Sequence, residues 1–187
     1  MDPHQFLTEY FERYRESIFQ PRVRTQLIEL SELMEVTQAT RGKVVFAGNG
    51  GSAAIAAHCA IDFSKNAGIR SVNFSDASLI TCLANDFGYD RWLEKAFELH
   101  CENKDLIILI SSSGKSPNVV KAADYARTRG NTLVTLTGFD SENPLKMRGK
   151  LNFWVDSRAY NIVEMTHQIW LLAVCDLLIG RAEYPAS

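Results

Sequence analysis

From Gly42 onward the chain alternates between short apolar runs and longer amphipathic stretches, and this alternation limits its fold more than any other feature. The runs are Val44-Val45-Phe46-Ala47, Leu106 to Ile110, Leu133 to Leu136 and Phe153-Trp154-Val155, with a weaker one at Ser71-Val72-Asn73-Phe74. Their length suits strands, and the lack of polar alternation within them suits strands buried on both faces. The amphipathic stretches supply helices to cover those faces, so the pattern predicts an α/β architecture of parallel β-α-β units. Residues 160 to 180 read as a long closing helix ended by Gly180.

Before Gly42 the texture is helical. Phe6, Tyr10, Tyr14 and Ile18 recur every four positions with Leu7 and Phe11 beside them. After Pro21 a second stripe runs through Val23, Leu27, Leu30, Leu33 and Met34. At 187 residues the chain has one-domain size, so residues 1–40 are expected to form a helical extension on a core at 41–187. Twenty Lys and Arg against 22 Asp and Glu leave a formal charge of −2, which argues against a direct nucleic-acid binder. The apolar stretch from Ile169 to Ile179 is interrupted by Asp176 and short for a bilayer, and Met1-Asp2-Pro3-His4 lacks the layout of a signal peptide. Cys59, Cys82, Cys101 and Cys175 form no CxxC pair, which predicts reduced thiols in a cytoplasmic protein with no membrane partner.

Parallel sheets bind ligands beyond the carboxyl ends of their strands, and here those ends carry chemistry. The first strand runs into Gly48-Asn49-Gly50-Gly51-Ser52 and then an Ala-rich helix start. The glycines admit close backbone approach, and Asn49 and Ser52 set short polar side chains beside free helix N–H groups that favour an anion. Gly48-x-Gly50-x-x-Ala53 also fits a loose dinucleotide pattern, but Asp62 comes too early and Asp76 too late for its acidic partner. The second loop, Ser111-Ser112-Ser113-Gly114-Lys115-Ser116, precedes Pro117, so Ser116 reads as a helix N-cap. Leu109 stands where a nucleotide P-loop needs its first glycine. What remains is a hydroxyl-rich nest at a helix N-terminus, suited to one phosphate group, or an ST-turn and cap with no ligand.

Together, Gly48-Asn49-Gly50-Gly51-Ser52, Asn85-Asp86-Phe87-Gly88, Ser111 to Ser116 and Leu136-Thr137-Gly138 resemble the sugar isomerase (SIS) domain family. Within it the resemblance is to the phosphoheptose isomerases, which interconvert sedoheptulose 7-phosphate and a heptose 7-phosphate. It spans essentially the whole chain, 1–187, and implies a three-layer αβα sandwich with a parallel, flavodoxin-like sheet plus N-terminal helices. It also implies a homotetramer with sites at subunit interfaces, a role for which the two amphipathic stripes at 1–40 are suited. By position the resemblance assigns the phosphate to Ser111, Ser112, Ser113 and Ser116, and the sugar hydroxyls to Asn49, Gly50, Ser52 and Asp86. Lys115 stands where the phosphoheptose isomerases commonly have Asn, and is either a phosphate contact or a solvated lysine.

Aldose–ketose isomerisation moves a proton between adjacent carbons through an enediol, so it needs a base on carbon and an acid or a metal at the oxygens. The isomerases resembling this chain place a His and a Glu four apart after the Gly-rich loop, and a Gln and a His eight apart on the last helix. These map to His58 and Asp62, and to Glu164 and Leu172. Asp62 is a methylene shorter than Glu, and Leu172 is neither acid, base nor ligand. Glu164 adds a carboxylate, and His167, one turn later, is a candidate for the missing imidazole. The resemblance thus implies Asp62, Glu164 and His167 as catalytic residues, and His58, Asp62 and Glu164 as ligands should a metal, zinc being the candidate, be used. The ordinary alternatives are hydrogen-bonded structural histidines and solvated carboxylates. Two functions follow: a sugar-phosphate ketose–aldose isomerase, or a catalytically silent SIS module that binds a sugar phosphate or a partner protein, like the replication-initiator-associating members. Leu172 favours the second, and His58 with the carboxylates favours the first.

Overall fold

The three most apolar runs become the centre of one sheet in the computed structural model, which describes residues 1–184; the last three positions of the expected 1–187 span lie outside the described residues. Two helices, α1 (Pro3–Ile18) and α2 (Val23–Ala39), precede β1 (Val44–Gly48), α3 (Gly51–Lys65), β2 (Ser71–Asn73), α4 (Ala77–Phe87) and α5 (Trp92–His100). Then come β3 (Leu106–Ser111), α6 (Pro117–Thr128), β4 (Thr132–Thr137), β5 (Leu151–Trp154) and α7 (Tyr160–Ile179). All four pairings are parallel and the strand order is β2-β1-β3-β4-β5, the flavodoxin-like order.

Side chains in a strand point alternately to opposite faces, and β3 shows this directly. Leu106, Ile108 and Ile110 join a core with Leu30 of α2, Phe63 of α3 and Trp170 of α7. Ile107 and Leu109 join the other core with Phe97 of α5 and Val119 of α6. All six residues of β3 are buried, and burying each of its five leucine and isoleucine side chains contributes about 1.5–3 kcal/mol. The edge strands differ: β2 is half-buried throughout, and β5 alternates buried and half-buried. That alternation moves β5 to Leu151–Trp154 from the expected Phe153-Trp154-Val155, although the Val155 N–H still bonds the Thr137 carbonyl at 2.9 Å.

Gly180 adopts the left-handed conformation (φ 80°) and its N–H closes α7 onto the Asp176 and Leu177 carbonyls. This helix is long and apolar enough by length and composition to cross a membrane. It lies against α1, α2 and α3, burying Trp170, Leu171 and Val174. The end of α1 is tied to it where the Trp170 Nε1–H donates to the Ile18 carbonyl at 3.1 Å. Half of the α1 stripe stays uncovered, with Phe6, Leu7 and Phe11 exposed and Tyr10, Tyr14 and Ile18 half-buried. The four cysteines are free, and burial pushes the Cys59 and Cys175 thiols up to about 12.

Candidate functional site

Strand order reverses between β1 and β3, so the helices that follow them leave on opposite faces and open a crevice at their carboxyl ends. A cleft of about 320 Å³ occupies that point. Asn49, Gly50, Gly51 and Ser52 line one wall, Ser111, Ser112, Ser113 and Ser116 the other, and Tyr160 and Glu164 reach in from α7. Two hollows of about 420 Å³ lie elsewhere, around Gln20 and Pro21; one touches Trp154 at the end of β5, and neither is lined by the Gly-rich or the serine loop.

The serine loop is held by backbone bonds from its neighbours. The Gly138 N–H donates to the Ser112 carbonyl at 2.9 Å, and the Leu145 N–H to the Gly114 carbonyl at 3.1 Å. Gly114 has φ 63°, and a Cβ there would collide with the Asn143 side chain, so glycine is required twice over. With the backbone engaged elsewhere, hydroxyls are free to face the cleft. Ser116 occupies the N-cap of α6 as expected, but its side chain makes no capping bond. Ser112 Oγ is buried without a partner among the described residues. A buried hydroxyl and an uncapped helix N-terminus in one loop form a set of donors for an anion.

The Gly-rich loop turns at Gly50 (φ 55°) into α3. Its Asn49 exchanges two amide hydrogen bonds, both 2.9 Å, with Asn118 in the first turn of α6, coupling the two loops. The N–H groups of Ala53 and Ala54 are taken by the carbonyls of Asn49 and Gly50, while those of Gly51 and Ser52 have no protein partner among the described residues. The Glu164 carboxylate lies against Gly51, where any Cβ would overlap it. A carboxylate at a helix N-terminus is favoured by the helix dipole.

The structure divides the four residues that the sequence places in one acid/base or metal cluster: His58 and Asp62 stay paired, while Glu164 and His167 lie apart from them. Only Glu164 lines the cleft. His58 is seven residues beyond Gly51, about 10 Å along α3. There its Nε2–H donates to Asp62 Oδ2 (3.1 Å), and its Nδ1 accepts from the Gln168 amide (2.8 Å). The expected catalytic role of His167 meets a different environment: the ring is fully buried, its Nε2–H donates to the Thr137 carbonyl at 3.0 Å, and it does not reach the cleft. Burial holds its pKa down at about 4, the Thr137 bond opposing this only in part. Asp86 sits in the last turn of α4 with Asn85 and Cys82 and does not line the cleft. Lys115 points away from the serines to Asp140, at 3.1 Å.

Among the described residues no three His, Cys, Asp or Glu side chains gather closely enough to share a metal ion. The donor set gives the reason: Glu164 rests against Gly51, two turns before His58 on α3, His58 is engaged by Asp62 and Gln168, and Leu172 packs against the core. The set expected for zinc, His58, Asp62 and Glu164, therefore does not fit one ion within a single chain. Sequence reasoning also passed over Tyr160, Asn118 and Gln168. Tyr160 is one turn before Glu164 on the same helix face, and that spacing was the available signal.

Residues 9–138 match the family model described as the SIS domain, and the chain belongs to that family. It is 31% identical over 166 residues to the phosphoheptose isomerase of Fusobacterium nucleatum subsp. nucleatum, covering 86% of this chain and 85% of that protein. It is 36% identical over 132 residues to the phosphoheptose isomerase of Nitratidesulfovibrio vulgaris, covering 67% of this chain and 63% of that protein's length. The phosphoheptose isomerase structure from Neisseria gonorrhoeae superposes with a TM-score of 0.84 at 27% identity, covering 94% of this chain and 96% of that one. A phosphoheptose isomerase from Francisella tularensis, 21% identical, shares the fold with a TM-score of 0.85.

Proposed function

We propose that the chain is a sugar-phosphate ketose–aldose isomerase of the phosphoheptose isomerase type, acting on sedoheptulose 7-phosphate or a related sugar phosphate. The observation that carries this reading is one cleft holding, at a topological switch point, free serine hydroxyls beside one helix N-terminus and a carboxylate beside another. The chemistry divides between the two walls. Ser111, Ser112, Ser113 and Ser116, with the first-turn N–H groups of α6, hold the phosphate. The sugar chain then runs toward Asn49, Gly50 and Ser52, which bring its carbonyl end to Glu164. Glu164 takes the proton from the hydroxyl-bearing carbon beside the carbonyl, the O–H proton of that carbon passes across the enediol to the former carbonyl oxygen, and Glu164 returns its proton to the former carbonyl carbon. The N–H groups of Gly51 and Ser52 donate to the enediolate oxygen as charge develops there. No step needs His167.

The chain is one SIS domain in this reading, with residues 1–40 serving association into a homotetramer through the exposed Phe6, Leu7 and Phe11 face of α1. In such an assembly a neighbour brings Asp86 toward a cleft it does not reach in one chain. A phosphorylated sugar and four free cysteines fit a cytoplasmic enzyme. Leu172, apolar and packed against the core, favours the second reading, a module that binds the sugar phosphate without turnover.

Exchange of the C1 and C2 hydrogens of six- and seven-carbon sugar phosphates in D₂O tests both readings. Exchange in the parent that falls about 10²–10⁴-fold in Glu164→Gln, with phosphate affinity retained, is the expected result. Tight binding with no exchange for any sugar, with or without added zinc, would establish the binding module instead.

A further inference from the structure

The side chains around His58 do more than miss a metal geometry; they close on one another. The Gln168 amide nitrogen can only donate, so at 2.8 Å it makes His58 Nδ1 the acceptor. The ring proton is thereby placed on Nε2, 3.1 Å from the Asp62 carboxylate, which can only accept. Each of the two interactions selects the same tautomer. A zinc ion needs an imidazole lone pair and about three further ligands in a tetrahedron. Here the lone pair of Nδ1 is used by Gln168, and Nε2 carries the proton. Leu172, one turn past Gln168 on the same face of α7, offers no ligand atom. Cys59 and Cys175, on the same two helices, are buried in the core.

We propose that this chain carries, where its resemblance to metal-using isomerases puts a ligand site, a closed Asp62–His58–Gln168 hydrogen-bonded triad that replaces the metal and fixes α7 against α3. Gln168 is then a positioning residue. It lies four residues after Glu164 on α7, and His58 lies seven after Gly51 on α3. A bond between the lower pair sets the register that brings the Glu164 carboxylate against Gly51 in the upper pair. The functional meaning of that register rests on the isomerase reading, but the triad itself does not.

The test reads metal and tautomer, neither of which depends on turnover. The full chain is saturated with zinc, gel-filtered and subjected to elemental analysis, and the nitrogen chemical shifts of His58 are measured in the parent, Gln168→Ala and Gln168→Glu. All three sites are at least partly exposed, so these variants are expected to fold. Loss of the added zinc on gel filtration is expected, with His58 as the Nε2–H tautomer in the parent. In Gln168→Glu the new carboxylate can only accept, so Nδ1 gains a proton while Nε2 keeps its own toward Asp62, a doubly protonated ring that a purely space-filling role for residue 168 would not produce. One zinc retained per chain and lost in His58→Ala would overturn the proposal, as would a His58 tautomer indifferent to both substitutions at 168. An absence of C1/C2 exchange would remove the isomerase reading while leaving these two measurements interpretable.

Discussion

The two ends of the same sheet treat their polar groups in opposite ways. At the amino end the Asp105 carboxylate, only 1% exposed, ion-pairs with Lys43 Nζ and accepts the N–H groups of Lys43 (3.0 Å) and Glu102 (2.7 Å). The Asp105 backbone carbonyl accepts from Asn131 Nδ2 at 3.0 Å. At the carboxyl end, Ser112 Oγ is buried without a partner, Ser116 leaves its helix uncapped, and Glu164 rests against a helix start. Leaving a buried hydroxyl unpaired costs about 1–3 kcal/mol, so the open end is kept at the expense of stability that the closed end supplies. The contrast separates residues that hold the fold from residues that meet a ligand.

The largest test of that contrast is Asp105→Ala. It strands Lys43, whose side chain is 13% exposed, among groups that have lost their acceptor. Breaking a buried pair in this way costs about 3–5 kcal/mol, read as a lower urea midpoint, while sugar-phosphate affinity measured well below that midpoint stays at the parent value. A loss of binding without a loss of stability would break the division between the two ends.

His167 belongs with the stabilising residues although it sits near the carboxyl end, and pH exposes this. Its folded pKa of about 4 lies below the ordinary 6.5, so the unfolded chain binds the proton first as pH falls. Stability from this group is complete above about 6.5 and declines as pH falls toward 4, by about 3 kcal/mol in all. The difference in denaturant stability between the parent and His167→Gln, followed from pH 7 to 4, should trace that decline. A difference that does not change with pH would show that the ring is already charged or solvated.

Much of the closed end was legible in the sequence because double-sided burial leaves unbroken apolar runs such as Leu106 to Ile110. The open end was legible in its loops, whose glycines and serines have few other reasons to cluster. Side-chain direction on α7 was less so. Val163, His167, Trp170 and Val174 share the stripe that enters the core, whereas Glu164, Gln168 and Leu172 form the stripe beside it. A register shift of one residue separates the two stripes, and residue type does not reveal it: a histidine suits either. Gln168 was overlooked because the family's eight-residue spacing fell on Glu164 and Leu172, yet its place midway between them made it the natural partner for His58.

A smaller effect sharpens the contrast from the ligand side. Ser112→Ala removes the unpartnered hydroxyl, and Ser116→Ala the uncapped one. Each should weaken sugar-phosphate binding by about 1–3 kcal/mol, the scale for a hydrogen bond to a charged group, in a thermal-shift titration. In the absence of ligand Ser112→Ala should unfold no earlier than the parent, because the hydroxyl it deletes has no bond to lose. A destabilised apo Ser112→Ala would place Ser112 with Asp105 among the groups that hold the fold.

The smallest effect concerns Lys115, which lies in the open loop by sequence but is tied down by structure. Its Nζ is 3.1 Å from Asp140 Oδ2, with both side chains well exposed. Asp140 sits below the usual carboxylate range, first because it accepts the Glu142 N–H and then because Lys115 is beside it. A lysine held by its own carboxylate contributes to phosphate binding only after that pair opens, and the competition cancels most of the gain. Lys115→Met should therefore change sugar-phosphate affinity by no more than about fivefold, the ceiling for an exposed pair. That change should fade in about 1 M salt, where the Debye length falls to about 3 Å. Asp140→Asn releases the lysine and should raise affinity within the same limits. A loss of about a hundredfold in Lys115→Met would instead make Lys115 a charge-assisted phosphate ligand, and would mean that substrate binding itself breaks the Asp140 pair.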